Sequence, residues 1–140
     1  MTKPDRLEKM RDAARSPSWE VRAAAGQHLA LLAGDLQADR ILATLLLDEH
    51  DTAVTYETSA ALLRRGDAHA FRLVLVALGE ADGDRADEIM GAVFHVYGDE
   101  ASLWEMAWQR CEALGNDPDE RVRRGAASVL PSSRPDAGSS

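Results

Sequence analysis

An all-α fold, a right-handed α-α superhelix (solenoid) of about four antiparallel helical hairpins, is predicted by three features of the sequence. A Gly-Asp pair recurs at Gly34-Asp35, Gly66-Asp67 and Gly98-Asp99, 32 residues apart each time. Between the pairs, apolar side chains recur every fourth residue, the spacing that places them on one face of a helix. No useful length of chain alternates with period two, so no sheet is expected. Hairpins this thin cannot bury their apolar faces alone; laid side by side they share one continuous core.

The elements follow in chain order. A first helix is expected over roughly Pro4–Ala14, contributing Leu7, Met10 and Ala14. Its partner carries Val21, Ala25 and Leu29, spaced four apart. Gly34 can take the left-handed conformation that ends a helix, and Asp35 can cap the amides that open the next. The run Asp35–Asp48 then offers Leu36, Ile41, Leu42, Leu45 and Leu46. Val54, Thr58 and Leu62 repeat the earlier trio 33 residues on. Asp67–Glu80 offers Phe71, Val74, Leu75 and Leu78. The third copy admits two registers: Ile89, Val93 and Tyr97 keep the spacing of four, whereas alignment on the Gly-Asp pairs puts Asp87 at the valine position. Asp99–Leu114 supplies Leu103, Trp104, Ala107, Trp108, Cys111 and Leu114, and Val122, Ala126 and Leu130 form the last trio. Residues 1–130 are thus read as one repeat domain, and PSSRPDAGSS (131–140), with almost nothing to bury, as a disordered tail.

Composition narrows the function classes. The chain is 45% hydrophobic but only 5% aromatic, which suits an Ala- and Leu-rich helical core. No stretch of ~20 apolar residues can cross a bilayer. The N-terminus lacks the apolar centre of a secretory signal, so a cytoplasmic protein is expected. The lone Cys111 excludes an internal disulfide framework. The net charge of -8 is concentrated: residues 41–100 hold 12 acids against 4 bases. Such a potential repels nucleic-acid backbones and attracts cationic partners.

Two segments bring a family to mind by their order of residues. DPDERVRRGAASVL (Asp117–Leu130) and SPSWEVRAAAGQHL (Ser16–Leu29) each place a proline four residues before a Val-Arg pair, then small residues and a leucine. This resembles the second helix of a HEAT-like repeat, of the short variety, over residues 4 to 130. The resemblance implies an α-α superhelix whose second helices line a concave face and which works by binding a protein. Three functional expectations follow from it. The first is a non-catalytic protein-binding scaffold. The second is an immunity protein or antitoxin neutralising a cationic toxin. The third is a non-catalytic subunit of a HEAT-like lyase or other enzyme. HEAT-like DNA glycosylases need a basic groove for phosphates, whereas the central repeats here are the most negative part of the chain.

Chemistry-bearing motifs are absent. There is no Gly-rich phosphate loop, nucleophile elbow or His-Glu-x-x-His motif. His28, His50, His69 and His95 fall on different elements, and Asp48-Glu49-His50-Asp51 lacks the glycine and alternating ligands of a calcium loop. No catalytic residue, metal or cofactor is expected. The acids, by contrast, share a place in the repeat. Asp48, Glu49 and Asp51 occupy the turn within the second hairpin, and Glu80, Asp82, Asp84, Asp87 and Glu88 occupy or follow the matching turn of the third. Equivalent turns line up along one edge of a stack, and helix capping accounts for one or two acids per turn, not for all of them. An acidic edge facing a basic protein surface is therefore expected, with Tyr56, near the start of a second helix, as an aromatic contact on the concave face. Trp104 and Trp108 suit either core or interface.

Overall fold

Side chains that accept hydrogen bonds from opening amides set where most of the helices begin. The computed structural model describes residues 2–130, which hold eight α-helices. They are α1 (Lys3–Ala13), α2 (Trp19–Ala30), α3 (Leu36–Leu46), α4 (Thr52–Arg65), α5 (Ala68–Glu80), α6 (Gly83–Tyr97), α7 (Ala101–Ala113) and α8 (Glu120–Val129), with a short 3-10 turn at Leu114–Asn116 before α8. Thr2, Ser18, Asp35, Asp51, Asp67 and Asp119 each accept from an amide in the first turn of α1, α2, α3, α4, α5 and α8. Such caps are worth about 1 kcal/mol each. No strand occurs among the described residues. The tail expected to be disordered lies outside them.

The Gly-Asp pairs do what was expected of them twice. Gly34 and Gly66 have φ of 108° and 77°, in the left-handed region, and Asp35 and Asp67 cap the helices that follow. Gly98 departs: it stays right-handed at φ -66°, and α7 opens on Glu100 with no side-chain cap. The dipeptide permits the turn but does not force it.

Packing runs mainly between elements close in the chain, and α2, α4 and α6 form a row in which each lies against the next. Gly26 on α2 makes the first contact close, since a Cβ there would stand 2.2 Å from the Thr58 hydroxyl oxygen of α4. Between α4 and α6, the buried Tyr97 hydroxyl donates to the Leu63 carbonyl at 2.7 Å. The core unites Leu29, Leu42, Leu45, Leu46, Leu62, Leu63, Phe71, Val74, Leu75, Ile89 and Val93, with Trp104 and Cys111 at its α7 side. The third register is resolved by burial: Ile89, Val93 and Tyr97 are inside, and Asp87 is exposed.

Three positions depart from the expected stripes. Leu36 is 65% exposed because it is the first residue of α3, immediately outside the Asp35 cap. Val21 is 42% exposed although Val54 and Val122, at the same place in their helices, are fully buried. Third, α8, whose sequence matches α2, packs against α5 rather than α6. Two glycines allow it. A Cβ at Gly125 would lie 2.1 Å from the Leu75 carbonyl oxygen, and one at Gly79 would lie 1.9 Å from that of Arg121. The two backbones touch where any side chain would hold them apart.

Candidate functional site

The turns inside successive hairpins lie side by side. Between the α3–α4 turn and the start of α6 is a groove of about 250 Å³ lined by Glu49, His50, Asp51, Asp82, Asp84 and Arg85, with Asp48 at its base. The two acidic clusters read from the sequence are thus brought together. A wider groove of about 1020 Å³ continues past the α1–α2 turn, over Ala14, Arg15, Pro17, Ala43, Leu47 and Arg121.

The acids divide into two groups according to what already holds them. Asp48 is buried, and its carboxylate accepts from Arg22 Nε at 2.9 Å and Arg22 Nη2 at 3.0 Å. It also accepts from the amides of His50 and Asp51 at 3.2 and 2.8 Å. Burial alone would push its carboxyl up, but the Arg22 bonds and these amides outweigh that and leave it below the usual range. Asp48 therefore ties α2 to the α3–α4 turn. Asp51 is half-buried and caps α4 through Ala53 N at 2.9 Å. Asp117, before α8, is also held by an arginine, Arg72 of α5 at 3.0 Å, and Glu80, the last residue of α5, is held by Arg121 of α8 at 2.6 Å.

The second group is uncommitted. Glu49, Asp82, Asp84 and Asp87 are exposed, and Glu88 is half-buried. None of the five is in an ion pair among the described residues. Asp82 stands at the N-cap of α6 yet makes no capping bond, so capping does not account for it. Glu49, Asp82 and Asp84 share the small groove; Asp87 and Glu88 lie one turn further along α6 and do not line it. One base interrupts the acids. Arg85 lines the groove, with its Nε donating to the Asp48 carbonyl at 2.9 Å.

Tyr56 lies on the α4–α6 face, away from the groove. It is half-buried, its hydroxyl bonds to His95 Nδ1, and the two rings stack at 5.9 Å. Trp104 is buried and Trp108 half-buried, so Trp104 belongs to the core, where its ring meets Phe94 at 5.4 Å.

Sequence reasoning missed Arg22 and Arg85. The signal for Arg22 was present in the Val-Arg pair: Arg22 Nη1 donates to the carbonyl six residues back (Ser16, 2.9 Å), and Arg123 does the same to Asp117 at 2.6 Å. Arg85 had no such signal.

Among the described residues no three His, Cys, Asp or Glu side chains converge as metal ligands would. Burial pushes the Cys111 thiol up to about 12, so it is not a nucleophile at neutral pH. No helix among the described residues is long and apolar enough to cross a membrane. Compared with family models, curated proteins and solved structures, the chain matches none.

Proposed function

We propose that this chain is a non-catalytic, HEAT-like protein-binding module whose acidic edge docks a basic surface on a partner protein. One observation carries the reading. Glu49, Asp82 and Asp84 are unpaired around one groove, whereas Asp48, Asp117 and Glu80, from the same turn edge, are neutralised by arginines within the chain. A fold that pairs Asp48, Asp117 and Glu80 within the chain has left these three to the solvent. Like charges placed together destabilise the free protein slightly and are relieved when a cation enters. Complementary charge speeds encounter and sets orientation more than it adds affinity.

The α2–α4–α6 row supports the superhelical reading of the family resemblance, and the placement of α8 on α5 ends the row after three helices. In this reading Tyr56 and His95 lie on the face that the second helices present. Asp48 and Asp51 hold the turn in shape, and Glu49, Asp82, Asp84, Asp87 and Glu88 meet the partner.

The test is affinity capture from an extract of the native cell, with mass-spectrometric quantitation at low and high salt. The wild-type chain should retain basic proteins that Glu49→Lys/Asp82→Lys/Asp84→Lys loses, and high salt should release them. If both chains retain the same proteins with the same salt dependence, the acidic edge is not the docking surface.

A further inference from the structure

The row of α2, α4 and α6 has two open ends, and they differ in charge. At the first end, α2 turns Gly26 and Gln27 toward α4, where they meet Thr58 and Glu57. Its opposite side presents Val21, Ala24, His28 and Leu31, all exposed, Leu31 by 73%. Two of the matching positions of α4, 33 residues on, are withdrawn from solvent: Val54 is fully buried, and Glu57, half-buried, accepts from Gln27 of α2 at 3.1 Å; Arg64, the match of Leu31, is exposed. The outer side of α2 is therefore built like a surface that receives a helix. Beside it, between α1 and α2, runs a groove of about 270 Å³ whose floor is Met10, Leu31 and Leu32 and whose rim is Arg6, Lys9 and His28.

At the other end, α6 turns Gly91 and His95 toward Tyr56 of α4. That leaves Asp87, Met90 and Phe94 on its far side, with Phe94 48% exposed even though its ring meets Trp104. Because α8 packs on α5, the place next to α6 is not taken by another helix of the row. Asp99 and Glu100 follow α6 directly, exposed and in no ion pair among the described residues. Arg6 and Lys9 are likewise in no ion pair among the described residues. The levels agree as well. The Lys3–Asp35 bridge of 2.8 Å puts the start of α1 beside the end of α2, level with Leu31, while Asp99 and Glu100 lie at the end of α6, level with Phe94.

We propose that copies of this chain associate head to tail, the outer side of α2 in one copy seating on the outer side of α6 in the next, with Phe94 entering the Arg6–Lys9–Leu31 groove. The occupant is a second copy because the chain carries both halves: a half-exposed aromatic beside carboxylates, and an apolar groove rimmed by bases. Such a contact joins two different surfaces, so association is not limited to a dimer and grows with concentration. It does not use the acidic groove, and only Asp87 borders both surfaces.

The test is sedimentation velocity of the full chain up to about 1 mM, a range that detects weak contacts. The wild type should sediment faster as concentration rises. Leu31→Glu, which blocks the head, and Phe94→Glu, which blocks the tail, should each remain monomeric. An equimolar mixture of the two has one intact head and one intact tail, and should form a dimer and nothing larger. A wild type that stays monomeric, a single variant that still associates as the wild type does, or a mixture that stays monomeric would each overturn the proposal. Should either variant unfold by circular dichroism, Arg6→Glu/Lys9→Glu and Asp99→Lys/Glu100→Lys replace them. Each alone should be weakened, and the mixture, which restores opposite charges across both mixed contacts, should associate.

Discussion

Replacing Gly125 with alanine probes the least expected contact in the fold, that of α8 on α5. The added Cβ would stand 2.1 Å from the Leu75 carbonyl oxygen and 2.9 Å from its carbon, where ordinary contact begins near 3.4 Å. The obstacle is backbone, so no side-chain rotation removes it, and the helices must part locally by about 1 Å. A gap of that size forfeits roughly a quarter to a half of the dispersion attraction of the atoms it separates. Overpacking of this kind costs about 1–3 kcal/mol, and the rigid obstacle argues for the upper end. Alanine's better helix propensity returns about 1 kcal/mol. The net expectation is a loss of about 2 kcal/mol, or ~6–8 °C in Tm for a chain of this length. Gly91→Ala is the internal control: its nearest neighbour would be Tyr56 Cε2 at 4.0 Å, so only the propensity gain remains and stability should rise. Urea and thermal unfolding followed by circular dichroism read both. If Gly125→Ala unfolds at or above the wild-type midpoint, the α5–α8 contact described here is wrong.

Other perturbations have signs that the structure fixes. Asp48→Ala leaves the buried Arg22 guanidinium without its counter-charge and should cost about 3–5 kcal/mol in urea unfolding; a change below 1 kcal/mol would contradict the burial of the pair. The carboxyl of Asp48 titrates below its unfolded value of 3.8, so its contribution is complete above that pH and is lost as pH falls through the lowered value. Asp119, brought down to about 2 first by the Arg121 side chain and then by the Arg121 amide, acts in the same direction. Stability should therefore fall between about pH 4 and pH 2, and less steeply in Asp48→Ala, as an acid titration of unfolding would show. Cys111, buried and with its thiol held near 12, should react with an aromatic disulfide reagent only after unfolding; rapid reaction of the native protein would place it at the surface.

Much of the fold was legible because the signals were local. A left-handed glycine followed by a capping aspartate is complete within three or four residues, and Gly34-Asp35 and Gly66-Asp67 act as the pattern predicts. Gly98-Asp99 has the same letters and a different conformation, with Gly98 right-handed at φ -66°. The position of α8 was not legible. Its Val-Arg pair and small residues match α2, but the choice between α5 and α6 as neighbour depends on Gly79 matching Gly125 across 46 residues. The candidate site divides in the same way. The excess of acids in two turns could be counted, but which of them were free could not. That depends on Arg22 reaching Asp48 and Arg72 reaching Asp117, over 26 and 45 residues. Arg85, inserted among the acids by the first turn of α6, shows the same limit.

Backbone amide shifts of the ¹⁵N-labelled chain, titrated with a Lys- and Arg-rich peptide, address the acidic edge without knowledge of the natural partner. The account predicts saturable shifts concentrated at residues 49–52 and 82–88, abolished by Glu49→Lys/Asp82→Lys/Asp84→Lys. Shifts spread evenly over all exposed acids, with Glu8, Glu20 and Glu112 moving as much as Asp82, would mean that the groove is no more than part of a uniformly negative surface.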